Sequence, residues 1–191
     1  MKNRALTSLL FAAAAATATS SAFAQSPFDG FLCCNMRTTG DWISDSNYND
    51  SGQQVVPLGT PVKVTGYGRQ RVLVMIDGKR QAIGNDYSRD LGLETFAKRY
   101  VVAEDPRVKL AAYPAKLREA VQAGRLSRGM TREQVLMSVG YPISSETPRL
   151  DAPTWRYWVS SFAEFQVLFD DGGRVREVIA DPTLKRVVWA D

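Results

Sequence analysis

The chain contains no histidine. That removes the usual general base near neutral pH, the commonest zinc ligand, and every Ser–His or Cys–His dyad. Cysteine is almost as scarce: Cys33 and Cys34 are the only two, and they are adjacent. No Cys-x-x-Cys helix start is present, so the environment that activates a redox thiol is missing. Past the first 24 residues, no apolar run approaches the roughly 20 residues a helix needs to cross a bilayer.

The start of the chain has the pattern of an export signal. Lys2 and Arg4 give a basic n-region, Ala5 to Ala16 an apolar core, and Ala22-Phe23-Ala24 a small-x-small cleavage site. Residues 1–24 are therefore expected to be removed after Ala24. Loss of Lys2 and Arg4 reduces 24 basic residues to 22 against 20 acidic, a balance that does not argue for nucleic acid. A lipoprotein needs a cysteine at the cut, and Cys33 and Cys34 come nine and ten residues past it. The expectation is a free periplasmic protein with no transmembrane segment, associated with the outer membrane only through a partner.

Composition divides what remains. Residues 25–54 are polar and rich in Gly, Asn, Asp and Ser, with Trp42, Ile43 and Tyr48 as apolar anchors. Irregular structure is expected there, with at most a short strand pair. In 55–104, Val62 and Val64 alternate, Arg71 to Ile76 is an apolar run, and Asp77-Gly78 is a two-residue hairpin signal before Lys79 to Ile83. A one-turn helix and Tyr100-Val101-Val102 as a closing strand complete a unit that resembles a bacterial SH3-like barrel. Asp105-Pro106 reads as a linker. In 111–191, Pro114 opens a first helix with Leu117, Ala120 and Val121 inward. Strands follow at Trp155 to Ser160, Phe165 to Phe169 and Val175 to Ile179, then an edge strand at Val187-Val188-Trp189.

The best-punctuated stretch is Gly129 to Pro142. Thr131 is an N-cap, and Gln134 three residues on completes a capping box. Met130 and Val135 have the spacing of a hydrophobic staple, with Val135, Leu136 and Val139 on one face. Gly140 ends the helix and Pro142 forbids a restart. Gly129-Met130-Thr131, Gln134-Val135, Gly140-Tyr141-Pro142, Trp155-x-Tyr157, Val167-x-Phe169-Asp170 and Gly173-Arg174-Val175 together resemble the BamE (SmpA/OmlA) family of the outer-membrane β-barrel assembly machinery. The same unit is similar to half of a β-lactamase inhibitory protein. The resemblance covers about residues 112–180. With the SH3-like resemblance of 55–104 before it, the expected fold is α+β: a small SH3-like barrel, then two helices on a three-stranded antiparallel sheet. The BamE-like resemblance also implies a non-catalytic protein–protein interaction module, with an envelope protein as partner. A peptidoglycan-binding module and a secreted enzyme inhibitor are the alternatives.

Candidate sites are few. Cys33 and Cys34 are a candidate disulfide in an oxidising compartment: a redox switch, an intermolecular bridge, or an inert pair bonded to each other or buried as thiols. Adjacent carboxylates Asp170 and Asp171 precede Gly172-Gly173 and suit a turn rather than a shared-proton pair. Asp41, Asp45 and Asp50 do not have the spacing of a calcium loop. Arg156 and Trp158 on the outward side of a strand, and Tyr67 and Arg69 by the barrel hairpin, are candidate partner contacts, because Trp, Tyr and Arg dominate binding hot spots. No catalytic, cofactor or metal-binding residue is expected.

Overall fold

The computed structural model describes residues 26–46, 54–160 and 162–190. The export signal and its cut after Ala24, and Tyr48 and Asp50, lie outside the described residues. The main body is one eight-stranded sheet in the order β4-β2-β3-β7-β6-β5-β1-β8. Its strands are β1 (Phe28–Leu32), β2 (Met36–Thr39), β3 (Trp42–Ser44), β4 (Gln54–Val56), β5 (Pro61–Gly68), β6 (Arg71–Ile76), β7 (Lys79–Gly84) and β8 (Val101–Val102). A second, three-stranded sheet runs β11-β10-β9, from β9 (Thr154–Ser160), β10 (Ala163–Phe169) and β11 (Val175–Ile179). Five short helices complete the described residues: α1 (Leu93–Tyr100), α2 (Pro106–Ala111), α3 (Ala115–Gln122), α4 (Arg132–Val139) and α5 (Pro182–Val188).

This corrects the expected α+β fold of a small SH3-like barrel followed by two helices on a three-stranded sheet. The molecule is mostly β, and its larger sheet is too wide for such a barrel. The polar composition of 25–54 concealed three strands. Leu32, Met36, Thr38 and Ile43 are buried there, spaced along strands too short to show a period by themselves. Nor do two helices close the smaller sheet. Its core also takes Leu58 from the β4–β5 loop, Leu110 from α2, and Leu184 and Val188 from α5. Val187 and Val188, expected in an edge strand, are helical because Asp181 caps α5, accepting from the Thr183 and Leu184 N–H groups, with Pro182 in the first turn.

Local signals that carry their own geometry formed as expected. The Thr131 hydroxyl accepts from the Gln134 N–H at 3.3 Å, and the Gln134 side chain accepts from the Thr131 N–H at 2.8 Å. Gly140 ends α4 at φ 79°, a region L-residues rarely adopt. Asp77 and Gly78 both have positive φ, the turn that matches strand twist in a two-residue hairpin. Val62, Val64, Val72, Val74 and Ile76 point inward with Phe96 and Tyr100 of α1 to make the core of the larger sheet.

Two polar knots join the sheets. Asn35, 5% exposed, donates its amide to the carbonyls of Val121 (2.6 Å) and Ser138 (3.1 Å) and accepts from the Leu58 N–H (3.1 Å). Its own N–H donates to the Met137 carbonyl. The buried Asp45 carboxylate accepts from the successive N–H groups of Asp86, Tyr87 and Ser88. Ser88 in turn accepts from the Ser144 N–H, so the β7–α1 loop is tied to the segment after α4. Burial raises the Asp45 carboxyl above its ordinary value, and the backbone donors oppose that shift.

Candidate functional site

A cleft of about 730 Å³ opens where the edge of the larger sheet meets α4. One wall comes from Val102 of β8, Ala103 and Glu104, and the start of α2. The opposite wall is Glu133, Leu136 and Met137 of α4 with Tyr141; Cys33 also lines the space. Most of these side chains are apolar. Local sequence places each wall. Asp105 caps α2 through the Arg107 N–H at 2.9 Å, and Pro106 takes the first helical position, which aims Val108 outward at 74% exposure. The stretch expected to be a linker is thus the helix that borders the cleft. On α4, half-buried Leu136 packs against the core that holds Val135 and Val139 and also lines the cleft, as does the more deeply buried Met137.

An ion pair and ring contacts frame the cleft. Lys109 of α2 and Glu133 of α4 pair at 2.7 Å, and both side chains are more than half exposed. The Glu133 carboxylate bound to its ammonium holds the Lys109 amine above its ordinary range. Tyr141 meets the buried Tyr100 edge to face at 5.7 Å, and the Arg99 guanidinium lies 5.3 Å from the Tyr141 ring centroid. Cys33 and Cys34 are disulfide-bonded to each other. Cys34 is fully buried in the larger core, whereas half-buried Cys33 faces the cleft. The Cys33 N–H donates to the Tyr100 carbonyl, and Asn35 follows immediately, so this corner is fixed to sheet and helices alike.

Of the residues singled out in the sequence, Cys33 lines the cleft, and the candidate partner contacts lie elsewhere. Arg156 and Trp158 share the outward side of β9. Arg156 pairs with Glu146 at 3.1 Å and Glu164 at 3.6 Å, and the Trp158 carbonyl accepts from the Ser46 hydroxyl. Tyr67 turns its ring onto the larger core, with its hydroxyl buried, while Arg69 is exposed at the β5–β6 turn. The two pairs stand on different sheets and none of the four lines the cleft. Asp170 accepts from the Arg174 N–H and shapes the β10–β11 turn. The sequence marked pieces of the walls, such as Cys33, Asp105-Pro106 and the capped helix before Tyr141, but nothing in it said that these separated stretches meet.

No family model, characterised protein or solved structure matches the chain. The likeness to the BamE family therefore rests on the motifs of residues 112–180 alone. Among the described residues, no group of three or more Cys, Asp or Glu is placed to hold a metal, and no helix is long and apolar enough to cross a membrane.

Proposed function

We propose that this is a non-catalytic, exported envelope protein that binds a partner protein through the cleft between β8, α2 and α4. The observation that carries this reading is the cleft itself. It is apolar, about 730 Å³, large enough for two or three big side chains, and open at a lip where Val108 is 74% exposed. Exposed apolar groups beside a preformed hollow, with a charged rim of Glu104, Asp105, Lys109 and Glu133, have the layout of a protein-binding hot spot. The absence of histidine supports a binding role over catalysis. Export rests on the N-terminal signal pattern, and the BamE-like motifs suggest outer-membrane protein assembly as the setting.

The test is site-specific photo-crosslinking in living cells. A photoreactive side chain at Val108 is expected to give one dominant protein adduct. The same group at Lys116, exposed on α3 outside the cleft, is expected to give none. Adducts of equal yield from both positions would refute the cleft as the partner site.

A further inference from the structure

The solvent face of the larger sheet carries a second, differently built surface. Strand register sorts its side chains into rows. In the first row Lys63 of β5, Met75 of β6 and Arg80 of β7 lie side by side. In the second, Gly66, Leu73, Ala82 and Trp42 run across β5, β6, β7 and β3. The third holds Gly68, Arg71 and Gly84. An apolar row with an aromatic end is therefore flanked by basic rows. Adjacent rows are about 6.6 Å apart along the strands, and Lys63 and Arg80 are about 10 Å apart across them.

Charge on this face is one-sided. Its rows hold Lys63, Arg71 and Arg80, with Arg69 in the adjoining β5–β6 turn, and no acid from β5, β6 or β7. None of these four cations makes an ion pair among the described residues. The neighbouring acids are Asp29 opposite Lys63, Asp41 beside Trp42, and Asp86, which is engaged with the Ser44 hydroxyl. Arg71 is also pre-positioned. Its guanidinium lies 3.7 Å over the Trp42 ring, and that ring lies across Gly84, where a Cβ would collide with it. Stacking fixes the guanidinium plane and leaves its N–H edges for a carboxylate fork. Leu73, 40% exposed, is the large apolar group at the centre.

We infer that this face docks an acidic polypeptide segment in which an apolar side chain is flanked by carboxylates. The apolar residue covers Leu73 and Ala82, one carboxylate takes Arg71, and another takes Lys63 or Arg80. The surface is separate from the cleft, and its test does not depend on the cleft's role.

The probe is a synthetic peptide with one leucine between two pairs of glutamates, titrated into the isotopically labelled protein at low and high salt. Shifts are expected at the Arg71 Nε–H, the Trp42 indole, Leu73 and Ala82. Raising salt from 50 to 500 mM should weaken binding several-fold, because exposed charges are screened. Lys63→Glu with Arg80→Glu, which leaves the Trp42–Arg71 stack intact, should weaken binding at least tenfold, and Leu73→Ser several-fold. Equal binding of a peptide with lysines in place of the glutamates, shifts that map elsewhere, or indifference to the charge reversals would each overturn the inference. So would binding to anionic phospholipid vesicles without binding to the peptide, which would make the face a membrane contact instead.

Discussion

Replacing Asn35 with alanine should weaken the junction of the larger sheet with α3 and α4. Its side chain bonds to Val121, Ser138 and Leu58, but losing these bonds is not equally costly. The Val121 carbonyl keeps the Gly124 N–H as a second donor. The Ser138 carbonyl loses the amide donor, and four residues on stands Pro142, which has no N–H to complete the helical bond. The Leu58 N–H has Asn35 Oδ1 as its acceptor. Two buried groups thus lose a partner, at about 1–3 kcal/mol each, for a total of about 2–6 kcal/mol. That is a large share of the about 5–15 kcal/mol that holds a typical domain folded. Equilibrium urea unfolding, followed by tryptophan fluorescence and far-ultraviolet dichroism, measures it. Asn35→Asp should cost at least as much at neutral pH, since a carboxylate would face two carbonyl oxygens. A loss below about 1 kcal/mol for Asn35→Ala would refute the hydrogen-bond reasoning.

Other outcomes follow from the same contacts. Thr131→Ala removes one half of the capping box and should cost about 1 kcal/mol, read from the urea midpoint at constant slope. Phe165→Ala removes a fully buried ring stacked on Tyr157 at 4.8 Å and should cost about 3–5 kcal/mol by the same measurement. Asp45 gives a pH signature. Its carboxyl is raised in the folded state, so the folded chain holds that proton more tightly than the unfolded one. The group's contribution to stability is therefore greatest near and below the ordinary carboxylate value of 3.8 and declines as pH rises through the raised folded value. Above that value it is level. Asp45→Asn should flatten this part of the stability–pH curve, and an unchanged curve would contradict the assignment.

What could be read in the chain is what a few neighbouring residues decide among themselves. The Thr131–Gln134 box, the Asp77-Gly78 hairpin and the Gly173 turn are local geometries, and each formed where its residues predicted. The facing of β9 was legible too, because alternation along a seven-residue strand separates Trp155 and Tyr157 from Arg156 and Trp158. The larger sheet was not legible. Strands of three to five residues at 28–44 carry too few alternations to register, and the parallel pairing of β3 with β7 joins residues some forty positions apart. Asn35 looked like one more polar residue in a polar stretch; its role exists only once the carbonyls of α3 and α4 are brought to it. The cleft shares that character, since Cys33, Val102, Leu136 and Tyr141 meet only in the folded chain.

The cleft's role is tested most directly by the affinity of the partner caught from Val108 for the intact protein and for Val108→Asp. Val108 is exposed at the lip and packs into neither core, so the variant should fold unchanged. A carboxylate set into the apolar lip should weaken binding at least tenfold, with thermal unfolding unaltered. Equal affinity for the two proteins would contradict the cleft as the binding site.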